Sequence, residues 1–380
     1  MDALISGGVA PERIRVIESC TNGSFSRLIF NMSGLTKFIK RKGAKVIFLD
    51  ERPTMPVLMG NPEYAVPLPD VIVDDLIHNR DRHNYISLAL LKTHNACVMT
   101  GTVKNQQGCL PDKGKRILHN YYLHEKLADV YQTFRPDFGI IDGDYAMAHG
   151  PVLPQNKFDK FLFKTNVILG GPDCVAVDAV ASRILGYDPG EVKHLTYCAD
   201  RGLGIIQLDD IDIVGDVSRF TQTLPWKQYT DDLPESVTFV KGKERACIEG
   251  CFGMAENITY TISQDYGIKR PFTIVVGKGI PPESLDNLTE PILVAGVCAT
   301  NECYAILKQK YRKVKAAPEC GCIGSVAKAV IKMAGADSPA NLPYPFIKAI
   351  RDYLLARLHR VNSIFTDPFR PNLGNDKGFR

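Results

Sequence analysis

Arg13-Ile-Arg-Val-Ile-Glu-Ser19 and Ala44-Lys-Val-Ile-Phe-Leu-Asp50 bracket a stretch in which Phe25, Leu28, Ile29, Met32, Leu35, Phe38 and Ile39 recur at helical spacing. The first segment alternates as a strand does, and the second is an apolar run of strand length. Ser24 or Ser26 is placed to cap the helix between them. Lys37, Lys40, Arg41 and Lys42 gather in its last turns, and Gly43 is placed as its stop. Strand, helix and strand in that order predict a parallel pairing, because a helical crossover returns the chain in the same direction. The expected fold class is α/β.

Outward from this opening, residues 51–69 read as a loop with four prolines before Pro69, and residues 70–75 as a strand. A helix is expected over 118–134, strands over 138–142, 166–170 and 210–215, and a loop after Asp142-Gly-Asp144. Pro172-Asp173 opens a further helix that Gly186 ends. The periodicity breaks around Trp226. Beyond it, strands at 237–240, 272–277 and 291–296 and helices near 302–314 and 325–333 predict a second unit. The expected organisation is a mostly parallel α/β domain over 1–218, a linker over 219–234, a smaller cysteine-bearing α/β domain over 235–341, and a basic amphipathic helix (346–358) with an irregular tail over 342–380.

The 380 residues suffice for two domains, and an apolar fraction of 45% with 23% charged residues is ordinary for a globular protein. A net charge of +4, spread along the chain, does not point to nucleic acid. No apolar run is long enough to span a bilayer, so no membrane partner is expected. The N-terminus lacks the basic and apolar regions of a signal peptide, and the expected location is the cytoplasm.

Residues 88–111 concentrate the chemistry. An apolar run delivers Lys92, Thr93 and His94, and a second delivers Thr100, Gly101, Thr102, Lys104 and Asn105. Lysines, a histidine, hydroxyls and an amide beside glycine suit an anionic group, with Lys92 and Lys104 neutralising it and His94 transferring protons or ligating a metal. Ligands of α/β sheets sit beyond the carboxyl ends of strands, where Asp142, Asp144 and Asp173 are also expected. Asp142 is read as binding metal or orienting His94, although Asp-Gly is also turn chemistry. Asp173 is a substrate-binding candidate and equally an N-cap. Asp178, among Val and Ala in that helix, needs a partner or water. His119 follows a glycine-containing loop and can reach the same cleft; His124, five residues on, does not share its helix face.

Eleven cysteines in a chain read as cytoplasmic favour metal or redox roles over disulfides. Cys247-Ile-Glu-Gly-Cys251, Cys298 and Cys320-Gly-Cys322 are the candidate ligands of an iron–sulfur cluster or of zinc, against buried free thiols that hold nothing. No pair has the two-residue gap of a zinc knuckle or ferredoxin run.

Leu91-Lys-Thr-His94, Thr100-Gly-Thr-Val-Lys-Asn105 with Gly108 and Pro111, His119, Ile140-Ile-Asp-Gly143, Gly150-Pro151, Asp173-Cys-Val-Ala-Val-Asp178, Gly186 and Arg201-Gly-Leu-Gly204 resemble, in this order, the family catalogued as domain of unknown function 362. The resemblance runs from about residue 30 to 215. Many members carry an appended ferredoxin-type module, so it implies an association with iron–sulfur chemistry. This chain departs by lacking a Cys-x-x-Cys-x-x-Cys run and the usual Lys-Pro-Asn opening, so ferredoxin-like electron transfer does not carry over. A single site-bound cluster or metal does.

The resulting expectation is an iron–sulfur or metal-dependent enzyme acting on a small anionic metabolite or cofactor, with Lys104, His94 and Asp142 catalytic. Lys92, Thr100, Thr102, Asn105, His119 and Asp173 would bind substrate, and Cys247, Cys251, Cys298, Cys320 and Cys322 the metal. The alternatives are a non-catalytic cluster carrier or assembly protein docking a protein partner or itself through the basic helix, and a metal-free phosphate-binding enzyme. No Walker-type or Gly-x-Gly-x-x-Gly run supports an ordinary nucleotide enzyme.

Overall fold

The structure, a computed structural model, describes residues 1–20, 25–226, 232–321, 323–336 and 346–358. In chain order its elements are α1 (Asp2–Ser6), β1 (Arg15–Glu18), α2 (Ser26–Met32), α3 (Leu35–Arg41), β2 (Lys45–Phe48), β3 (Thr54–Met59), β4 (Tyr64–Pro69), α4 (Asp70–Ile72), β5 (Ile86–His94), β6 (Val98–Thr100) and α5 (Asp112–Arg116). There follow α6 (Leu123–Thr133), β7 (Phe138–Met147), β8 (Leu162–Gly171), α7 (Cys174–Ile184), α8 (Lys193–Asp200), β9 (Val237–Lys241), α9 (Cys251–Tyr266), β10 (Phe272–Val276), β11 (Ile292–Ala295), α10 (Val297–Lys310), β12 (Val314–Ala317), α11 (Ile323–Ala334) and α12 (Phe346–Leu358). The fold is α/β, as expected. Two compact units divide it: Met1–His83 with Gln107–Ile117 and the described residues of 339–380, and Asn84–Gln106 with Leu118–Ser338.

In the first unit β1 and β2 pair in parallel, Arg15 opposite Lys45, as the opening stretch requires. Ile14, Phe30, Ile39, Ala44 and Phe48 form its core, with Phe30 edge-on to Phe48 at 5.7 Å. The expected single helix is two, broken at Ser33 and Gly34, because Gly34 adopts φ 77°. Residues 51–69 are not a loop: β3 and β4 form an antiparallel ribbon in which Pro56 faces Pro67, and such a free-standing ribbon can carry proline, which a central strand cannot. Residues 70–75 are helical rather than extended, a short apolar run whose period is ambiguous. The basic helix α12 lies on α2, where Asn31 donates to the buried Asp352 at 2.9 Å.

The second unit holds two four-stranded sheets. The first, ordered β6-β5-β7-β8, is mixed: β5 and β7 are parallel and both outer pairs antiparallel. The loop expected after Asp142 is strand, since β7 runs on through Met147 against β8. Residues 210–215 form no strand; Leu208–Asp210 is a 3-10 turn there. One face packs Ala89, Leu91 and Ile141 against Val177, Val180 and Ala181 of α7 and Leu195 of α8. The other exposes Leu88, Leu90 and Ile168.

The second sheet, ordered β12-β11-β10-β9, is entirely parallel. Its two inner strands, Phe-Thr-Ile-Val-Val and Ile-Leu-Val-Ala, are buried throughout, because α9 and α11 cover one face and α10 the other. Of residues 219–234, read as a linker, 219–226 and 232–234 belong to this unit, and 227–231 lie outside the described residues. Two elements here differ from the expectation: Cys251 opens a helix rather than sitting in a loop, and the helix expected near 302–314 is Val297–Lys310 followed by β12.

Asp178 fixes the turn that leads out of β6. Fully buried in α7, its carboxylate accepts the Thr102 amide (2.6 Å), the Thr102 hydroxyl (2.8 Å) and the Val103 amide (2.9 Å). Burial pushes its pKa up to about 6, with these donors pulling the other way. A Cβ on Gly101 would lie 2.3 Å from the same carboxylate. Asp178→Ala leaves two buried amides unpaired and is expected to cost about 3 kcal/mol, and Gly101→Ala is expected to be destabilising by steric conflict; urea unfolding midpoints check both.

Candidate functional site

The carboxyl ends of the parallel sheet carry the cysteines. Cys247 follows β9, Cys251 is the first residue of α9, Cys298 the second of α10, and Cys320 follows β12. These four thiols line one cavity of about 40 Å³, together with Asn120, Tyr121, Arg245, Gly277 and Gly296. Gly296, at φ 89°, has no room for a side chain: a Cβ there would stand 2.4 Å from the Cys251 sulfur. Two helices, of 16 and 14 residues, begin at this cavity, so the positive ends of their dipoles favour thiolate. Cys251 shares its proton with Cys320, which brings the Cys320 thiol down to about 6 against the effect of burial, with the Val297 amide and Asn120 side chain assisting. Burial holds Cys298 and Cys247 above the ordinary thiol value, while Arg245 draws them down. The Arg245 guanidinium itself lies 3.8 Å over the Tyr121 ring. Cys322 lies outside the described residues.

Four sulfurs, two helix N-termini and one arginine surround a common space. Among the described residues no group of three or more His, Cys, Asp or Glu side chains is placed to hold a single metal ion.

His119 and Asn120 connect this cavity to a second polar region. A Cβ on Gly321, next to Cys320, would lie 2.7 Å from His119 Nδ1, so the cysteine loop and His119 are in close packing. Lys104, half-buried, follows the turn that Asp178 holds, and burial lowers its pKa. His94 ends β5; its Nδ1 accepts the Ala96 amide at 3.1 Å, which leaves the proton of the neutral ring on Nε2. Burial sets its pKa well below 6.5, with Lys104, Lys92, His119 and His194 adding to the shift. His119 is lowered to about 4, first by burial and then by Lys126 and Lys104. His194, fully buried on α8, is lowered by burial, His124 and Lys104. Its ring stacks 6.2 Å from His124, which reaches Glu249 at 3.5 Å between the first two cysteines.

Of the sequence candidates, the structure thus brings together Lys104, His94 and His119, with Lys92 within electrostatic reach. Thr100 is buried at the end of β6. Three others are engaged in holding the fold. Thr102 donates to Asp178 and to the Cys174 carbonyl. Asn105 donates to Ser87 and the Leu88 carbonyl. Asp173 caps α7, one oxygen accepting the Val175 and Ala176 amides and the other Ile205. Asp142 is exposed in mid-strand, opposite Leu90 and Ile168, and accepts the Asp144 amide at 3.0 Å. The sequence reading did not select His124, His194, Asn95 or Glu249. Glu249 was signalled by its place between Cys247 and Cys251; nothing local marks His194.

Buried neutral histidines make the fold acid-sensitive. Because His94, His119 and His194 have folded-state values below 6.5, the unfolded chain takes up protons that the folded one refuses. Their contribution to stability is intact above 6.5 and is lost as pH falls, down to about 4 for His119. His194→Leu is expected to leave stability at pH 7 within about 1 kcal/mol of the parent and to lessen the loss between pH 7 and 5, read from urea unfolding at the two pH values.

Comparison with known proteins returns matches to part of the chain. A Synechocystis sp. (strain ATCC 27184 / PCC 6803 / Kazusa) protein named Thylakoid-associated protein sll1697 is 32% identical over 127 residues, covering 32% of this chain and 37% of that protein. The chain therefore matches well under two thirds of that relative's length. No solved structure matches. The family described as Domain of unknown function (DUF362) matches over residues 1–183, reaching further towards the N-terminus and ending earlier than the motifs alone outlined. Residues 1–183 of this chain are similar to that family.

Proposed function

We propose that the chain is an iron–sulfur enzyme whose cluster is held by Cys247, Cys251, Cys298 and Cys320, and that it acts on a small anionic metabolite bound at Lys104 and His94. The observation that carries this reading is the convergence of four thiols from separate segments on one cavity. Scattered structural cysteines have no reason to meet at the carboxyl ends of one parallel sheet, where α/β proteins hold ligands.

When bound, such a cluster supplies electron transfer, or Lewis acidity if one iron is open to substrate. This chain's own groups supply the rest. Arg245 offsets the negative charge of four thiolates, and Gly296 keeps the wall of the cavity thin. Lys104 neutralises an anion, and His94, fixed by Ala96, presents an N–H toward it. A cytoplasmic setting accords with this reading, because a reducing compartment keeps the cysteines available as ligands. The Synechocystis relative is named for a thylakoid association; among the described residues here no helix is long and apolar enough to cross a membrane.

Anaerobic purification followed by iron, sulfide and zinc analysis tests the cluster. The expected result is a brown protein with about four irons and four sulfides per chain, in which serine at any of the four positions lowers the iron content. Cys97→Ser, at a buried thiol raised to about 11 and outside the cavity, is expected to keep the iron. A colourless protein without iron, or one with stoichiometric zinc, sinks the reading.

A further inference from the structure

The polar region beside the cysteine cavity contains more unpaired hydrogen-bonding capacity than a structural core tolerates. His194 has neither ring nitrogen hydrogen-bonded, although it is fully buried. His124 Nδ1, His119 Nδ1 and Asn95 Oδ1 are likewise buried without a partner. Each such atom has given up its hydration without a replacement partner, and native interiors carry few of them. Here they share one neighbourhood. Lys104 acts electrostatically on His94, His119 and His194, and His194 stacks on His124. Lys104 itself carries no ion pair among the described residues.

The charge in this neighbourhood is one-sided. Facing His194 are His124 from α6 and Lys104 from the turn after β6, with His94 at the end of β5 and His119 ahead of α6. Glu249, the carboxylate that meets His124, is engaged by it at 3.5 Å. The region can donate several hydrogen bonds and offers positive charge, which is what an oxyanion requires and what a neutral or cationic ligand does not.

We propose that His194, His94 and Lys104 together bind one small oxyanion, a carboxylate or a tetrahedral phosphate-like group, and that binding brings a proton with it. His194 is thereby assigned as a ligand-binding residue, in a part of the chain outside the DUF362 match. The inference rests on the reading above, in that it identifies the chemical class of substrate for the enzyme proposed there. An anion entering this space favours the charged form of imidazoles that burial otherwise keeps neutral, so uptake of a proton is the signature that distinguishes a ligand site from a merely structural histidine.

Calorimetric titration of the full chain, purified anaerobically, tests it with malonate and sulfate as separate probes that do not themselves titrate between pH 7 and 8. Runs in two buffers of different ionisation enthalpy count the protons. The expected result is binding of at least one probe with up to about one proton taken up per anion, and an affinity that falls up to about tenfold from pH 7 to pH 8. Malonate alone identifies a carboxylate ligand, and sulfate alone a phosphate-like one. His194→Leu and Lys104→Met are each expected to weaken binding at least about tenfold. Binding of neither probe, binding without proton uptake, or unchanged affinity in a folded His194→Leu protein overturns the proposal. Iron analysis of the same sample separates the two readings: iron without anion binding removes only this inference, and anion binding without iron removes the cluster.

Discussion

A carboxylate buried without a counter-ion sets the geometry on which the rest of the second unit depends. Asp178 sits inside a helix of Val and Ala and is compensated only by two amides and a hydroxyl of the turn at Thr102 and Val103. An ionised acid so placed is costly unless its donors are held rigidly, and the donors are held because the turn has no other way to satisfy its own buried amides. The interaction therefore ties α7 to the end of β6 in both directions. Its consequence is positional. Lys104 follows one residue after Val103 and is delivered, half-buried, among His94, His119 and His194. Gly101 is the accompanying requirement, since any side chain there would displace the carboxylate.

Two neighbouring regions of this unit then share an electrostatic character by different means. Around the cysteines it arises from backbone: two long helices start there, and their aligned dipoles favour sulfur in its anionic form. Around Lys104 it arises from side chains, an ammonium and imidazoles with little carboxylate to balance them. The segment from His119 to His124 belongs to both, since Asn120 and Tyr121 line the cavity, His119 packs on Gly321 and feels Lys104, and His124 reaches Glu249.

What the sequence made legible follows from how local each signal is. The β1–α2–α3–β2 opening, the buried strands β10 and β11 and the Asp173 cap were readable because period, apolar runs and capping residues act within a few positions. Residues 70–75 failed for the same reason in reverse: three apolar residues between acids fit a strand and a helix turn equally. The β3–β4 ribbon was hidden by its prolines, which deny a central strand but not a free-standing pair. Asp142 looked like a site residue because a strand was expected to end there, and β8 extends that strand by five residues instead. Among the candidate site residues, Lys104 and His94 were visible as a dense polar cluster. His194 was not, because it is brought to them only by the packing of α8 on α6, a contact between segments some seventy residues apart in sequence.

The distribution of unsatisfied groups gives this arrangement its direction. Asp178 and Asp173 show how this chain treats a buried or capping acid that serves the fold: their carboxylate oxygens are taken up by amides. The histidines around Lys104 are treated otherwise, held neutral and partly unpaired where apolar side chains of similar volume would cost less. A fold optimised only for stability would replace His194, and the acid sensitivity it brings, with leucine. Retaining an imidazole that neither donates nor accepts within the protein makes physical sense under the proposal that its partner comes from outside, and the positive charge of Lys104 beside it is the reason that proposal names an anion.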